Sequence, residues 1–392
     1  MKELAVSDVM FSLLRFALWG GEALSDGERE YTARMRPWLY ALSKSHDIAH
    51  LVGHALASQG LLGDGDEVCR KFERDEMLAV FRYEKINYEL SEVCRVLEEA
   101  EISFVPLKGA VMRRYYPDPW MRTSCDIDIL VNADELERAA GVLTDGLGYA
   151  MQSRSFHDIS FNSPSGVHLE LHHDLVEDGY AAGSHEILSN AHASAVAREG
   201  HRFLGEFDDA TFYFYHVAHM AKHVEHGGCG VRPFIDLLIL DRLPDRDVEG
   251  RDALLERGGL LRFAETARAL SRVWLEGEEH TSMTRELGDY ILGAGVYGST
   301  ENRVAIANSS TGNRFVYLMK RIFLPPRLLA LNYPVLERHP WLYPVYFVKR
   351  FFDILFSRKR RSGAMSELNT TVNGEAERAE RLSRMCRELG LL

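Results

Sequence analysis

From Asp126 to Val131 the chain reads Asp-Ile-Asp-Ile-Leu-Val, an alternation that sets two acids on one side of a strand. Ile127, Ile129 and Val131 occupy the other side and ask for a buried core. With a rise of roughly 3.3 Å per residue, the two carboxylates spring from backbones about 6–7 Å apart and can converge on one or two divalent cations. Two like charges buried with no cation between them are costly. A strand of this kind therefore constrains the fold and the chemistry together: one face packs a core, the other is suited to hold metal.

The flanking residues extend the pattern. Ile102 to Leu107 reads as a short buried strand that runs into Lys108, Gly109 and Ala110 before an apparent helix. A glycine at such a turn lets the backbone approach a phosphate, while a lysine and a helix N-terminus supply positive charge. Further on, Val167 to His172 forms a second alternating stretch, with His168, Glu170 and His172 on one face and Val167, Leu169 and Leu171 on the other. On that face Glu170 is a candidate third carboxylate, and a solvated strand face is the alternative. Arg113 and Arg114 read as the solvated face of the helix after the turn.

Three strings now carry a resemblance: Leu107-Lys108-Gly109, the run Arg122-x-Ser124-x-Asp126-Ile127-Asp128-Ile129-Leu130-Val131, and His168-Leu169-Glu170-Leu171-His172. They resemble the uncharacterised nucleotidyltransferase family of bacteria, within the DNA polymerase β-like superfamily. The likeness is specific over residues 100–175 and continues faintly through Thr211 to His223, Phe234-Ile235-Asp236-Leu237-Leu238 and the proline-aromatic C-terminal region. It implies an α+β fold, a nucleotidyltransferase-type mixed-sheet core flanked by N- and C-terminal helical domains. It also implies Mg²⁺-dependent transfer of a nucleoside monophosphate from an NTP to a hydroxyl or phosphate of a small-molecule or protein acceptor, with release of pyrophosphate. Asp126, Asp128 and Glu170 would hold two Mg²⁺ ions and carry catalysis, the Glu170 strand would lie beside the Asp126–Asp128 strand, and Glu170 would act as general base or orienter of the attacking hydroxyl. Lys108, Gly109, Arg122 and Ser124 would take the triphosphate. One departure stands out: superfamily members usually carry Gly-Ser at the phosphate turn, and here Ala110 follows Gly109. Charge from Lys108 and Arg122 would replace the missing hydroxyl.

The pattern along the chain divides it into a helical region over 1–100, an α/β core over 101–205, a helical domain over 206–361, and a polar tail with a terminal helix over 362–392. Helices are expected at Val6–Gly20, Tyr31–Ser45, about 74–100 and Ala133–Leu147, and strands at Tyr149–Ser153, Asp158–Asn162 and Val167–His172. At 392 residues, 46% apolar and 27% charged, the composition is that of a globular chain. Its formal net charge of −12 argues against a long nucleic acid as partner. Five scattered cysteines with no CxxC indicate neither a disulfide framework nor a zinc site, and point to the cytoplasm. No stretch reaches the roughly 18–20 apolar residues of a membrane span, and the N-terminus offers no secretion signal.

Two further signals compete with the acid strand. His216, His219, His223 and His226 recur at spacings of three, four and three, on one helical face. Taken alone they suggest a metal hydrolase built on that helix, whereas the resemblance implies that the helix is a wall of the active cleft, together with His172 and Asp236. Between Arg314 and Arg361, eleven Lys or Arg face two acids, giving a segment near +9 in a chain of −12. Basic residues interleaved with Phe, Tyr, Trp and Leu suit a peripheral membrane contact or an acidic partner. A non-catalytic nucleotide-binding scaffold is the remaining alternative, since the turn lacks its serine.

Overall fold

The computed structural model describes residues 4–63, 65–176, 182–296, 298–299, 301–303, 306, 329, 333, 335–356 and 376–392. Four helices come first: α1 (Val6–Trp19), α2 (Asp26–Ser45), α3 (Ala49–Ser58) and α4 (Glu67–Glu99). Ser25 starts α2 through a capping box with Glu28, and the Asp66 side chain accepts the Val68 amide at the start of α4. The α/β unit follows as β1 (Phe104–Pro106), α5 (Gly109–Met112), β2 (Asp126–Val131), α6 (Leu136–Gly141), β3 (Ala150–Arg154), β4 (Asp158–Asn162) and β5 (His168–His172). Next come α7 (Ala182–Ser189), a small ladder of β6 (Val196–Ala197) and β7 (Gly205–Glu206), and five helices: α8 (Asp209–Glu225), α9 (Arg232–Asp241), α10 (Val248–Arg257), α11 (Leu261–Glu276) and α12 (Ser282–Ala294).

The five-stranded sheet has the order β1-β2-β5-β4-β3, and only the β2–β5 pair is parallel. This is a mixed-sheet α+β fold with helices on both flanks, as expected. The period of two sorts side chains by face. Ile127, Ile129 and Val131 of β2 and Leu169 and Leu171 of β5 bury with Ile86, Val93 and Leu97 of α4 and with Leu136 and Ala139 of α6. Leu130, on the face that carries the two aspartates, packs in a second cluster with Tyr213, Phe214 and Val217 of α8 and Phe234 of α9. Thus α4 and α6 cover the apolar face, and α8 and α9 lie over the acid face.

Several expectations need correction. The helix after the Lys108-Gly109 turn is a single turn, Gly109–Met112, followed by 3-10 turns at Arg113–Tyr115 and Pro119–Met121. Pro117 and Pro119 remove amide donors and fix φ, so no longer helix propagates there. Arg113 is accordingly not on a solvated face; it is buried, 4% exposed. The helix expected at Ala133–Leu147 starts at Leu136 and continues past Gly141 as a π-helical segment, Val142–Gly146. Helix α3 and the β6–β7 ladder had no counterpart in the sequence pattern. In the basic segment, Arg314, Lys320, Arg321, Arg327 and Arg358 to Arg361 lie outside the described residues, as does most of the polar tail. The helix Tyr343–Phe356 and the terminal helix Ala376–Glu388 are described.

Candidate active site

Parallel pairing of β2 with β5 sets Asp128 directly across from Glu170 and Asp126 across from His168. The carboxylates of Asp126, Asp128 and Glu170 therefore rise from neighbouring strands on one face. Asp128, Glu170 and His172 each offer a ligand atom within 4.8 Å of the others, the one such group of three among the described residues. Asp126 stands at the edge of this group and lines the adjoining cleft.

Asp128 is buried at 3% exposure and has two cationic partners: Lys108 Nζ donates to its Oδ1 at 3.0 Å, and His172 Nε2 lies 3.1 Å from the same oxygen. Burial alone would raise its carboxyl, but Lys108 and His172 outweigh that and hold it well below the usual carboxylate range. His172 also lies 3.4 Å from Glu170 Oε2. Burial would lower the imidazole, yet these two carboxylates raise it to about 9. The hydrogen bond from His172 lowers Glu170 in turn. Asp126 moves the other way, raised by burial and then by the charges of Asp128 and Glu170. An acid-rich face with one carboxyl pushed up by its neighbours has a donor set that fits a divalent cation.

Lys108 reaches Asp128 from a strained backbone, φ 44° and ψ −114°, rare for a residue with a side chain. Gly109 follows because nothing larger fits: a Cβ there would stand 2.9 Å from Ser124 Cβ and 3.2 Å from Ser124 Oγ. Ser124 thus lies against the turn. Its hydroxyl accepts from Arg113 Nη2 at 2.7 Å, and Arg113 Nε donates to the Gly109 carbonyl at 2.9 Å. Buried Arg113 ties the turn to the lead-in of β2.

Arg122 lines the cleft, but its guanidinium is engaged within the protein. Its Nε and Nη2 hold Asp236, both nearest contacts at 2.8 Å, and Nη1 donates to the Thr123 carbonyl at 2.6 Å. Asp236 is fully buried and also accepts from Tyr116 Oη at 2.7 Å. The expected phosphate cation is therefore a link between the β2 lead-in and α9.

The histidine helix is α8. His216 Nε2 lies 3.0 Å from the Pro233 carbonyl oxygen, and burial lowers its basicity. His219 and His223 meet Nε2 to Nε2 at 2.9 Å and line the cleft; burial, then the Lys108 charge, pushes His219 down. His226, at the exposed end of the helix, turns its Nδ1 to the Lys222 carbonyl. Among the described residues no acidic ligand joins His219 and His223 in a metal-binding group.

The cleft has a volume of about 300 Å³. Lys108, Gly109, Asp126 and Asp128 form one wall, and Phe212, Tyr215, His219 and Met220 of α8 the other. Sequence reasoning missed two polar residues here. Arg232 opens α9 beneath the cleft and pairs through Nη1 with Asp47 Oδ2 at 2.7 Å. The Gly227-Gly228-Cys229-Gly230 run before Arg232 and the proline after it mark a loop and helix start that could have flagged it. Asp47, in the α2–α3 connection, carried no such signal.

A sequence-family model described as uncharacterised nucleotidyltransferase matches residues 34–276. The chain belongs to this family. No curated protein and no solved structure matches it. The matched region runs from α2 to the end of α11, so it contains the whole sheet, the acidic group and both cleft helices. The protein is a nucleotidyltransferase, and a nucleotide is its substrate. No helix among the described residues of this nucleotidyltransferase is long and apolar enough to cross a membrane.

Proposed function

We propose that this nucleotidyltransferase moves a nucleoside monophosphate from an NTP onto a hydroxyl or phosphate oxygen of an acceptor, using Asp126, Asp128 and Glu170 with divalent metal. The observation that carries this reading is the pairing of Asp128 with Glu170 across parallel strands, on a face that opens into the cleft. Mg²⁺ suits the oxygen-rich donor set, and when bound it would neutralise charge on the triphosphate and on the leaving pyrophosphate. The acceptor oxygen attacks the α-phosphorus, the bond from that phosphorus to the bridging oxygen breaks, and pyrophosphate leaves.

The chain's own residues supply position and charge. Glu170, partly exposed beside Asp128, takes the acceptor's proton. His172 braces Asp128 and Glu170 and acts as a positioning residue. Lys108 and the Gly109 backbone receive the triphosphate. Ser124, which lies against Gly109, stands in for the hydroxyl absent at Ala110. Arg232 replaces Arg122 as the guanidinium facing the cleft, because Arg122 is paired with Asp236.

The test is a titration of each NTP with and without Mg²⁺, on the wild type and on the Asp126→Ala/Asp128→Ala variant, with pyrophosphate release as second readout. Metal-dependent binding that disappears in the variant is the expected result. Equal binding by both proteins overturns the assignment of these carboxylates.

A further inference from the structure

Arg232 lines the cleft with only part of its guanidinium engaged. Nη1 donates to Asp47 Oδ2 at 2.7 Å and to Thr123 Oγ1 at 3.2 Å, and Thr123 Oγ1 donates to the same Asp47 oxygen at 3.3 Å. Nε is buried without a hydrogen-bond partner, and Nη2 donates to nothing among the described residues. A buried N–H left unpaired is costly, so Nε calls for an acceptor. Nε and Nη2 form the side of a guanidinium whose two parallel N–H groups match two oxygens of one phosphate or carboxylate.

Asp47 sets this arrangement from a backbone that suits glycine better. The end of α2 is a Schellman motif: the Ile48 amide donates to the Ser43 carbonyl at 3.0 Å and the Asp47 amide to the Lys44 carbonyl at 3.1 Å. Asp47 holds the left-handed position of the motif at φ 53°, where glycine is the usual residue. The chain thus has a carboxylate where the turn needs no side chain, and that carboxylate meets Arg232 across 185 residues of sequence. The pair adds little stability, because the side chains of Asp47 and Arg232 are 34% and 21% exposed. Its effect is on geometry. Thr123 follows Arg122, and Arg122 holds Asp236 four residues along α9 from Arg232, so the β2 lead-in and the α2 cap fix the start of α9 together. With Nη1 tied down the guanidinium is held from turning, and its Nε–Nη2 edge keeps one direction.

We propose that Asp47 is a positioning residue of the nucleotide site: with Thr123 it holds Arg232 by Nη1 and so presents the Nε–Nη2 edge to two oxygens of one NTP phosphate. The inference rests on the reading of the cleft as the NTP site. Its test is a double-mutant cycle on affinity for ATP, CTP, GTP and UTP, each titrated with Mg²⁺ on the full-length protein, using Asp47→Gly, Arg232→Ala and the two together. Glycine relieves the left-handed backbone, so Asp47→Gly stays folded, as thermal unfolding by circular dichroism checks. Arg232→Lys, which keeps the charge but not the two-donor edge, stands in for Arg232→Ala if that variant is unfolded. The Asp47 carboxylate by itself repels a triphosphate, and this direct effect is the same in both backgrounds; the positioning effect exists only where Arg232 is present. Expected are a weakening of about tenfold for Asp47→Gly in the wild-type background and none, or a slight gain, in the Arg232→Ala background. Asp47→Asn, which keeps an accepting oxygen and tolerates the left-handed backbone, should recover most of the affinity. Equal effects of Asp47→Gly in the two backgrounds overturn the proposal, as does NTP binding indifferent to Arg232→Ala; metal-dependent binding by the wild type then leaves the nucleotide assignment standing. A wild type that binds no NTP overturns both.

Discussion

Gly109 shows how little room the cleft wall has beside Ser124. Ser124 must lie against it for Arg113 to hold both the Gly109 carbonyl and the Ser124 hydroxyl, and that closeness leaves no space for a Cβ. Gly109→Ala is therefore expected to cost about 1–3 kcal/mol, as overpacking does in a tight interior, and to weaken NTP binding because the turn must shift. Denaturant unfolding and an NTP titration check this; a variant as stable as the wild type with unaltered binding refutes it. The need for glycine was readable in the sequence as a strand-to-turn signal, although its physical reason, a serine 15 positions later, was not. The common face of Asp126, Asp128 and Glu170 was readable for a related cause. A period of two is a local property, and burial of the apolar face fixes where the acids point. The pairing of Arg122 was not readable because its partner Asp236 lies 114 residues away, and no local pattern announces a pair of that separation.

Elements with strong periodicity were legible, and those shaped by tertiary contact were not. Helices α1, α2, α4 and α8 follow from apolar spacing, although α2 and α4 begin at Asp26 and Glu67, ahead of the expected starts, behind the caps Ser25 and Asp66. The α5 turn was overextended in the sequence reading because Lys-Gly-Ala-Val-Met has helical character, whereas two prolines downstream decide its length. What replaces that helix as a support is the link from the β2 lead-in to α9. Arg122, Asp236 and Tyr116 are all buried there and satisfy one another. Asp236→Ala would leave the Arg122 charge buried without its counter-ion, an expected loss of roughly 3–5 kcal/mol. The pair Arg122→Met/Asp236→Leu, which removes both charges, should recover most of it. Urea unfolding of Arg122→Met, of Asp236→Leu and of the double variant measures the coupling. Additive losses would show that the pair does not act as a unit.

At the scale of the whole molecule, one hydrophobic cluster runs from Val9 in α1 through α8, α9 and α11 to Leu382, Met385 and Leu389 of the terminal helix. Both ends of the chain thus pack into the one core that backs the cleft, a closure no sequence window could reveal. Glu225 lies near this closure: it ends α8, and its charge is felt by the Cys386 thiol of the terminal helix. Burial raises the Glu225 carboxyl to about 7 from an ordinary 4.5. A folded-state value above the unfolded one favours the protonated form in the fold. Its stabilising contribution is complete below about pH 4.5 and is lost as pH rises through about 7. Glu225→Gln keeps the neutral shape and cannot ionise. The stability difference between variant and wild type should therefore grow in favour of the variant from pH 5 to pH 8, as followed by denaturant midpoints. Parallel pH profiles would mean that Glu225 is solvated in the fold.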